Sequence, residues 1–176
     1  FCTFVPLLKF LINIGLKKLA KRKATPKNEA VKGVNSITAM GFVYHVDKTP
    51  FDTLKKMVHD YSKQGIKIYT LGFVEEKDLT DYEADELNHY YCLNDINLLR
   101  LPKQASINHF VSQNFDYLIN LDMEGRNELQ AISAYSASKI RIGKQFENYI
   151  NAHDLMIRSV AETPTELLRD INRYIK

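Results

Sequence analysis

Short apolar runs alternate along the chain with segments whose apolar residues recur every three or four positions. Residues 37–46 (ITAMGFVYHV) are mostly apolar, rich in β-branched and aromatic side chains, and end at Asp47-Lys48-Thr49-Pro50. A run of that length and composition predicts a buried strand. Residues 50–64 follow, with Phe51, Leu54, Met57, Val58 and Tyr61 at helical spacing; Pro50 suits a helix start and Gly65 its end. Residues 66–74 (IKIYTLGFV) predict a second strand, closed by Glu75-Glu76-Lys77-Asp78.

The middle is less regular. Residues 79–88 are polar and acidic, His89-Tyr90-Tyr91-Cys92 fits a short third strand, and Asn94-Asp95-Ile96-Asn97 reads as a turn. A helix is expected over 103–113, with Ile107, Phe110 and Val111 apolar. Order then returns: strand 115–121 (FDYLINL), helix 128–137 with small residues suited to close packing, strand 139–142 (KIRI) and a short strand 154–157 (DLMI). Thr163-Pro164-Thr165-Glu166 opens the final helix, with Thr163 as N-cap, Pro164 at the first helical position and Glu166 completing a capping box.

Strands that alternate with helices need crossover connections, which put helices on both faces of a parallel sheet. The fold class is therefore α/β: a Rossmann-like three-layer sandwich with a mainly parallel sheet, preceded by an N-terminal amphipathic helix. The first strand should be central, between the strands at 66–74 and 115–121, because strand order reverses there in this architecture. Val43, Ile68, Leu71, Ile119, Leu121 and Ile140 are the expected core.

Charge divides the chain. Residues 1–32 hold eight Lys or Arg against Glu29 alone, a net +7, while the rest carries −4. A nucleic-acid-binding domain spreads basic charge over its folded body, so this segregation argues against nucleic acid. The chain begins with Phe1 rather than Met, as expected of a fragment or a processed form. Residues 4–19 are largely apolar but fall short of the roughly 20 residues that span a bilayer, and Lys9 and Asn13 interrupt them. The positive charges follow the apolar stretch, whereas a secretory signal has them before it. The organisation read from this pattern is a basic amphipathic helix over 1–23, a linker over 24–36 and the α/β domain over 37–176. Two readings of the leader stand: Leu8, Leu11, Ile12 and Leu19 pack on protein, or the helix lies on an anionic membrane surface with Lys17, Lys18, Lys21, Arg22 and Lys23 among the head groups. Cys2 and Cys92 stand in no metal or redox spacing and predict a reducing compartment. The expected location is cytoplasmic, with the leader on the inner face of the membrane in the second reading.

Candidate chemistry is sparse. There is no G-x-G-x-x-G after the first strand, no P-loop and no nucleophile elbow. The five histidines (His45, His59, His89, His109 and His153) lack metal-ligand spacing and read as packing or surface residues. No cofactor, metal or catalytic residue is expected. One geometric argument remains. Open α/β sheets bind ligands beyond the carboxyl ends of their strands, where Asp47, Lys48, Asp122, Glu124, Gly143 and Lys144 are the candidate ligand-binding residues. Glu75 and Glu76 stand at the end of the second strand.

Residues 115–148, with FDYLINLD, LQAISAYSASK and IRIGKQFEN, resemble the N-terminal Rossmann-like domain of heptosyltransferase-type glycosyltransferases. Asp116, Leu118, Asp122, Ala137, Arg141, Ile142 and Gly143 carry the resemblance. Those enzymes use a second such domain for the sugar nucleotide, and 176 residues with a 36-residue leader leave room for one domain. Over its whole length the chain is similar to a family of short bacterial proteins of unknown function. The expectation is a non-catalytic or accessory domain that binds a membrane surface or a protein partner. The alternative is a small ligand-binding protein or enzyme, nucleotide or sugar-nucleotide related, working at the carboxyl edge.

The charge segregation makes the leader testable. The full chain should co-sediment with anionic vesicles and less so with neutral ones, and salt should weaken binding because exposed charges are screened within about 10 Å at 0.1 M. A chain starting at Lys32 should lose that affinity. Equal sedimentation of the two chains would remove the leader from membrane binding.

Overall fold

A computed structural model describes residues 37–149 and 152–175. The helix expected over 1–23, with Lys17, Lys18, Lys21, Arg22 and Lys23, and the linker over 24–36 lie outside the described residues. The strands are β1 (Ala39–His45), β2 (Lys67–Phe73), β3 (Asn88–Tyr91), β4 (Tyr117–Asn120), β5 (Ile140–Lys144) and β6 (Leu155–Ile157). The helices are α1 (Phe51–Ser62), α2 (Gln104–Val111), α3 (Asn127–Tyr135) and α4 (Pro164–Asn172). All six strands join one sheet in the order β3-β2-β1-β4-β5-β6, and each of its pairings is parallel. β1 is central, flanked by β2 and β4, as expected, with Val43 opposite Leu71 on one side and Asn120 on the other.

A parallel sheet needs cover on both faces, and alternation along β1 divides its side chains between two layers. Phe42 and Tyr44 face Met57 and Tyr61 of α1 and Leu167 and Ile171 of α4. Val43 faces Ile107 and Phe110 of α2 and Leu129 and Ile132 of α3. The fold is thus a Rossmann-like α/β sheet flanked by helices. Val43, Ile68, Leu71, Ile119, Leu121 and Ile140 are all buried. Thr163 caps α4, its hydroxyl accepting from the Glu166 amide at 3.3 Å. The Glu166 carboxylate accepts from the Glu162 amide at 3.0 Å, one residue before the cap, so the cap forms without the reciprocal bond of a capping box.

Two polar clamps tie the sheet together. Asp116, just before β4, accepts from the Thr38 amide at 2.8 Å and pairs with Lys139 at 2.7 Å. Burial would push its carboxyl up, but Lys139 and the amides of Thr38 and Ala39 hold it at about 2. Arg141 on β5 pairs with Asp154 at 2.6 Å and 2.8 Å, fixing β6 beside β5. Next to this pair, the His153 imidazole fills the space that a side chain on Gly143 would need: its Cε1 lies 2.7 Å from where such a Cβ would stand. Only glycine admits the ring there.

His153 is buried without a partner for Nε2 among the described residues. Burial, helped by the neighbouring Arg141 cation, lowers its pKa from 6.5 to about 3. The unfolded chain therefore binds the proton that the folded chain refuses, and His153 takes stability away as pH falls from 6.5 towards 3. Asp116 adds a loss at lower pH, between its ordinary 3.8 and about 2. Urea midpoints measured between roughly pH 7.5 and 4.5 should decline in the wild type, and a His153→Leu variant should decline less. Equal slopes would show that His153 binds its proton alike in the folded and the unfolded chain.

Candidate functional site

Side-chain alternation aligns three polar residues at the carboxyl ends of the central strands. His45 follows Val43, Glu75 follows Phe73 and Asp122 follows Asn120, each two positions on and hence facing the α2/α3 layer. His45 is 3% exposed and its Nε2 lies 3.3 Å from Glu75 Oε2. Nδ1, on the other side of the ring, is buried and has no hydrogen-bond partner among the described residues, with Asp47 Oδ2 3.9 Å away.

The Glu75 carboxylate collects two further donors. Arg100 Nη2 lies 3.2 Å from Oε1 and Arg126 Nη1 lies 3.1 Å from Oε2. Both arginines also reach Glu128 in the first turn of α3, whose side chain is 1% exposed. Arg100 grips it with Nε at 3.1 Å and Nη2 at 2.6 Å, while Arg126 stands 3.8 Å away. Arg126 turns its other edge to Glu124 at 2.9–3.0 Å, and Lys48 stands 3.8 Å from Glu124 across the gap between the ends of β1 and β4. The Arg126 hydrogen bond, against the opposing effect of burial, keeps the Glu75 carboxyl below its usual range.

Arg100 has φ 56°, in the left-handed region that non-glycine residues rarely adopt. The loop enforces it. Asn97 Oδ1 accepts from the amides of Leu99 and Leu101, the Arg100 amide donates to the Asn97 carbonyl at 2.9 Å, and Ile96 bridges to Pro102. Beside the arginines opens a cleft of about 530 Å³, whose walls include Asn127, Phe146 and Tyr149. Burial, with the Asp122 and Glu128 charges, pushes the Tyr149 phenol up to about 12, so it stands as a neutral hydroxyl bonded to Asn127.

Of the residues expected from sequence, Glu124 lines this cleft and Lys48 touches Glu124. Asp122 lies beneath: it accepts from the amides of Glu124, Gly125 and Arg126 and from Gln130, and so shapes the turn into α3. Burial pushes its carboxyl up against those donors. Asp47 is exposed beside His45. Gly143 lies under His153, and Lys144 donates to the Ala161 carbonyl at 2.9 Å, away from the cleft. Sequence reasoning missed His45 as a site residue, along with Arg100 and Glu128, while Arg126 closes the stretch Asp122-Met123-Glu124-Gly125-Arg126 that it marked as able to hold a ligand. Glu75 was visible at a strand end, but Arg100 sits in an irregular loop where no periodicity marks it. Among the described residues no group of three His, Cys, Asp or Glu is placed to hold a metal ion, and no helix is long and apolar enough to cross a membrane.

A family model for a family of unknown function, DUF6913, matches residues 9–176. The chain belongs to DUF6913. The match takes in the whole sheet and every residue of the cleft. Comparison with curated proteins and with solved structures finds no match. The family match carries no glycosyltransferase relation, and in this DUF6913 chain the polar residues of stretch 115–148 serve the fold: Asp116 and Arg141 clamp strands, and Asp122 builds a turn.

The cleft's electrostatics set a stability test. Arg100→Ala leaves buried Glu128 with Arg126 at 3.8 Å as its remaining cation. Loss of a fully buried partner costs about 3–5 kcal/mol, and exposed pairs about 0–1 kcal/mol. Arg100 is 42% exposed, so the variant should lose about 2 kcal/mol in urea unfolding. Adding Glu128→Gln should recover part of that loss, a coupling read from the double-mutant cycle.

Proposed function

We propose that the chain is a ligand-binding module that takes a small polar molecule in the cleft at the carboxyl edge of its sheet. One observation carries this reading: Arg100 is held at φ 56° so that its guanidinium reaches the buried Glu128 at the cleft wall. Backbone strain of this kind is of order 1–3 kcal/mol and gathers where the position of a side chain matters. The site also lies where open α/β sheets receive ligands, and a cleft of about 530 Å³ suits a small molecule.

Arginines and carboxylates at the cleft wall neutralise one another in pairs, which suits binding of a polar molecule. The resemblance to glycosyltransferases enters here as a choice of probes, nucleotides and sugar nucleotides. The basic leader supports a companion role in which residues 1–23 bring the domain to an anionic membrane surface or a partner: the +7 charge of residues 1–32 beside a body of −4 is what favours it.

A thermal-shift panel of nucleotides and sugar nucleotides tests the cleft. A ligand at about 100 times its Kd adds roughly 2.7 kcal/mol, a rise of about 5–11 °C in Tm for a chain of this size. Compounds that stabilise the wild type should fail with Arg126→Gln and should shift the amide resonances of Glu75, Arg126 and Tyr149. Equal stabilisation of the variant would place binding elsewhere and overturn the reading.

A further inference from the structure

Glu75 is held as a bound anion would be. Three donors on three different segments converge on its carboxylate: His45 Nε2 at 3.3 Å from the end of β1, Arg100 Nη2 at 3.2 Å from the loop before α2, and Arg126 Nη1 at 3.1 Å from the turn before α3. The donors are anchored independently of Glu75. Arg100 is held by the buried Glu128, Arg126 by Glu124, and His45 by its burial in β1 against the Phe73 ring. The occupant stands at the mouth of the cleft, its side chain 41% exposed. Among the described residues the buried Nδ1 of His45 has no hydrogen-bond partner, so the polar groups here are not all matched within that part of the chain.

We infer that the three donors form a receptor for an anionic group, carboxylate or phosphate, which displaces Glu75 and places the body of its molecule in the cleft beside Tyr149. The inference rests on the cleft-binding reading and specifies its ligand chemistry. Lys48, Arg100 and Arg126 face Glu75, Glu124 and Glu128, with Asp47 beside His45 and Asp122 beneath the turn before α3. An anion that displaces Glu75 takes over its negative charge at the two guanidinium groups. Arginine offers five donors in a planar fork that suits carboxylate and phosphate oxygens. Of those on Arg100, the described bonds use Nε and Nη2 and leave Nη1 for an incoming oxygen. Glu75 then acts as an internal competitor that keeps weak, abundant anions out and yields to a ligand with further contacts in the cleft.

The test titrates the full chain with inorganic phosphate and, separately, with acetate at fixed ionic strength, following amide shifts at Arg126 and Tyr149. Wild type should bind one of the two weakly at these residues. Glu75→Ala should bind the same anion about tenfold more tightly or better, the equivalent of removing one competing charge-assisted hydrogen bond. Glu75→Ala with Arg126→Gln should lose the gain. A gain for phosphate alone assigns a phosphate ligand, and a gain for acetate alone a carboxylate. Glu75→Gln, which keeps the length of the side chain, is run alongside in case the alanine variant misfolds. The inference falls if no folded variant gains affinity. If the nucleotide panel still shifts the cleft amides of the wild type while no variant gains, the anion receptor is wrong and the cleft-binding reading stands; if neither occurs, both fall.

Discussion

Burying the Glu128 carboxylate at the start of α3 governs the whole carboxyl edge of the sheet. A charge removed from water must be paired and hydrogen-bonded or it destabilises the fold strongly. Arg100 answers with two hydrogen bonds, and to deliver them its loop turns through φ 56°. Arg126 is drawn to the same carboxylate from the turn built around Asp122, and Glu75 then bridges the outer faces of the two guanidinium groups. His45, Glu124 and Lys48 attach to this frame in turn. The cleft is a consequence of that chain of pairings: loop, turn and strand ends are held apart by the size of the two arginines and held together by the charge between them.

The sheet was legible in the sequence because a parallel sheet writes itself in blocks. Strands buried on both faces appear as continuous apolar runs, such as residues 37–46 and 66–74, and helices announce themselves by period and caps. The weakest element, the short strand at His89-Tyr90-Tyr91-Cys92, falls at Asn88–Tyr91, one residue away, because its burial needs only one face against α2 and one neighbour in β2. The site was less legible for the opposite physical reason. Its residues are joined by pairings across 28 positions (Arg100 to Glu128) and 51 positions (Glu75 to Arg126), and no local pattern records who will meet whom. Strand-end logic points to Glu75, Lys48, Asp122 and Glu124 by their place at the carboxyl ends. It could not separate Asp122, which builds a turn, from Glu124, which faces the cleft, since both are acidic residues two positions apart at one strand end.

Stretch 115–148, for which the family match gives no glycosyltransferase relation, illustrates how fold-keeping residues can look like a motif. Asp116 binds the entry to β1, Arg141 binds β6 through Asp154, and Gly143 makes room for His153. Any parallel sheet of this order must solve the same three problems: tying the start of the central strand, fixing an edge strand, and fitting a bulky side chain over a neighbouring strand. Similar residues at similar spacing therefore follow from the architecture, and function has to be argued from the cleft itself.

Stability alone does not account for the outer part of the network. Pairs as exposed as Lys48–Glu124, with both side chains about half exposed, contribute about 0–1 kcal/mol. The strain at Arg100 costs of order 1–3 kcal/mol, and a buried pair such as Arg100–Glu128 gains little over apolar residues of similar volume. What the charged version supplies, and an apolar one could not, is direction: two planar donor groups and one imidazole at 3.1–3.3 Å from the two oxygens of one carboxylate above the strand ends. That carboxylate, Glu75, is 41% exposed and, like Lys48 and Glu124, can turn into solvent without exposing a buried carboxylate. Of these three it is the one that three separately anchored donors hold, and the proposed exchange of anions rests on that convergence rather than on stability.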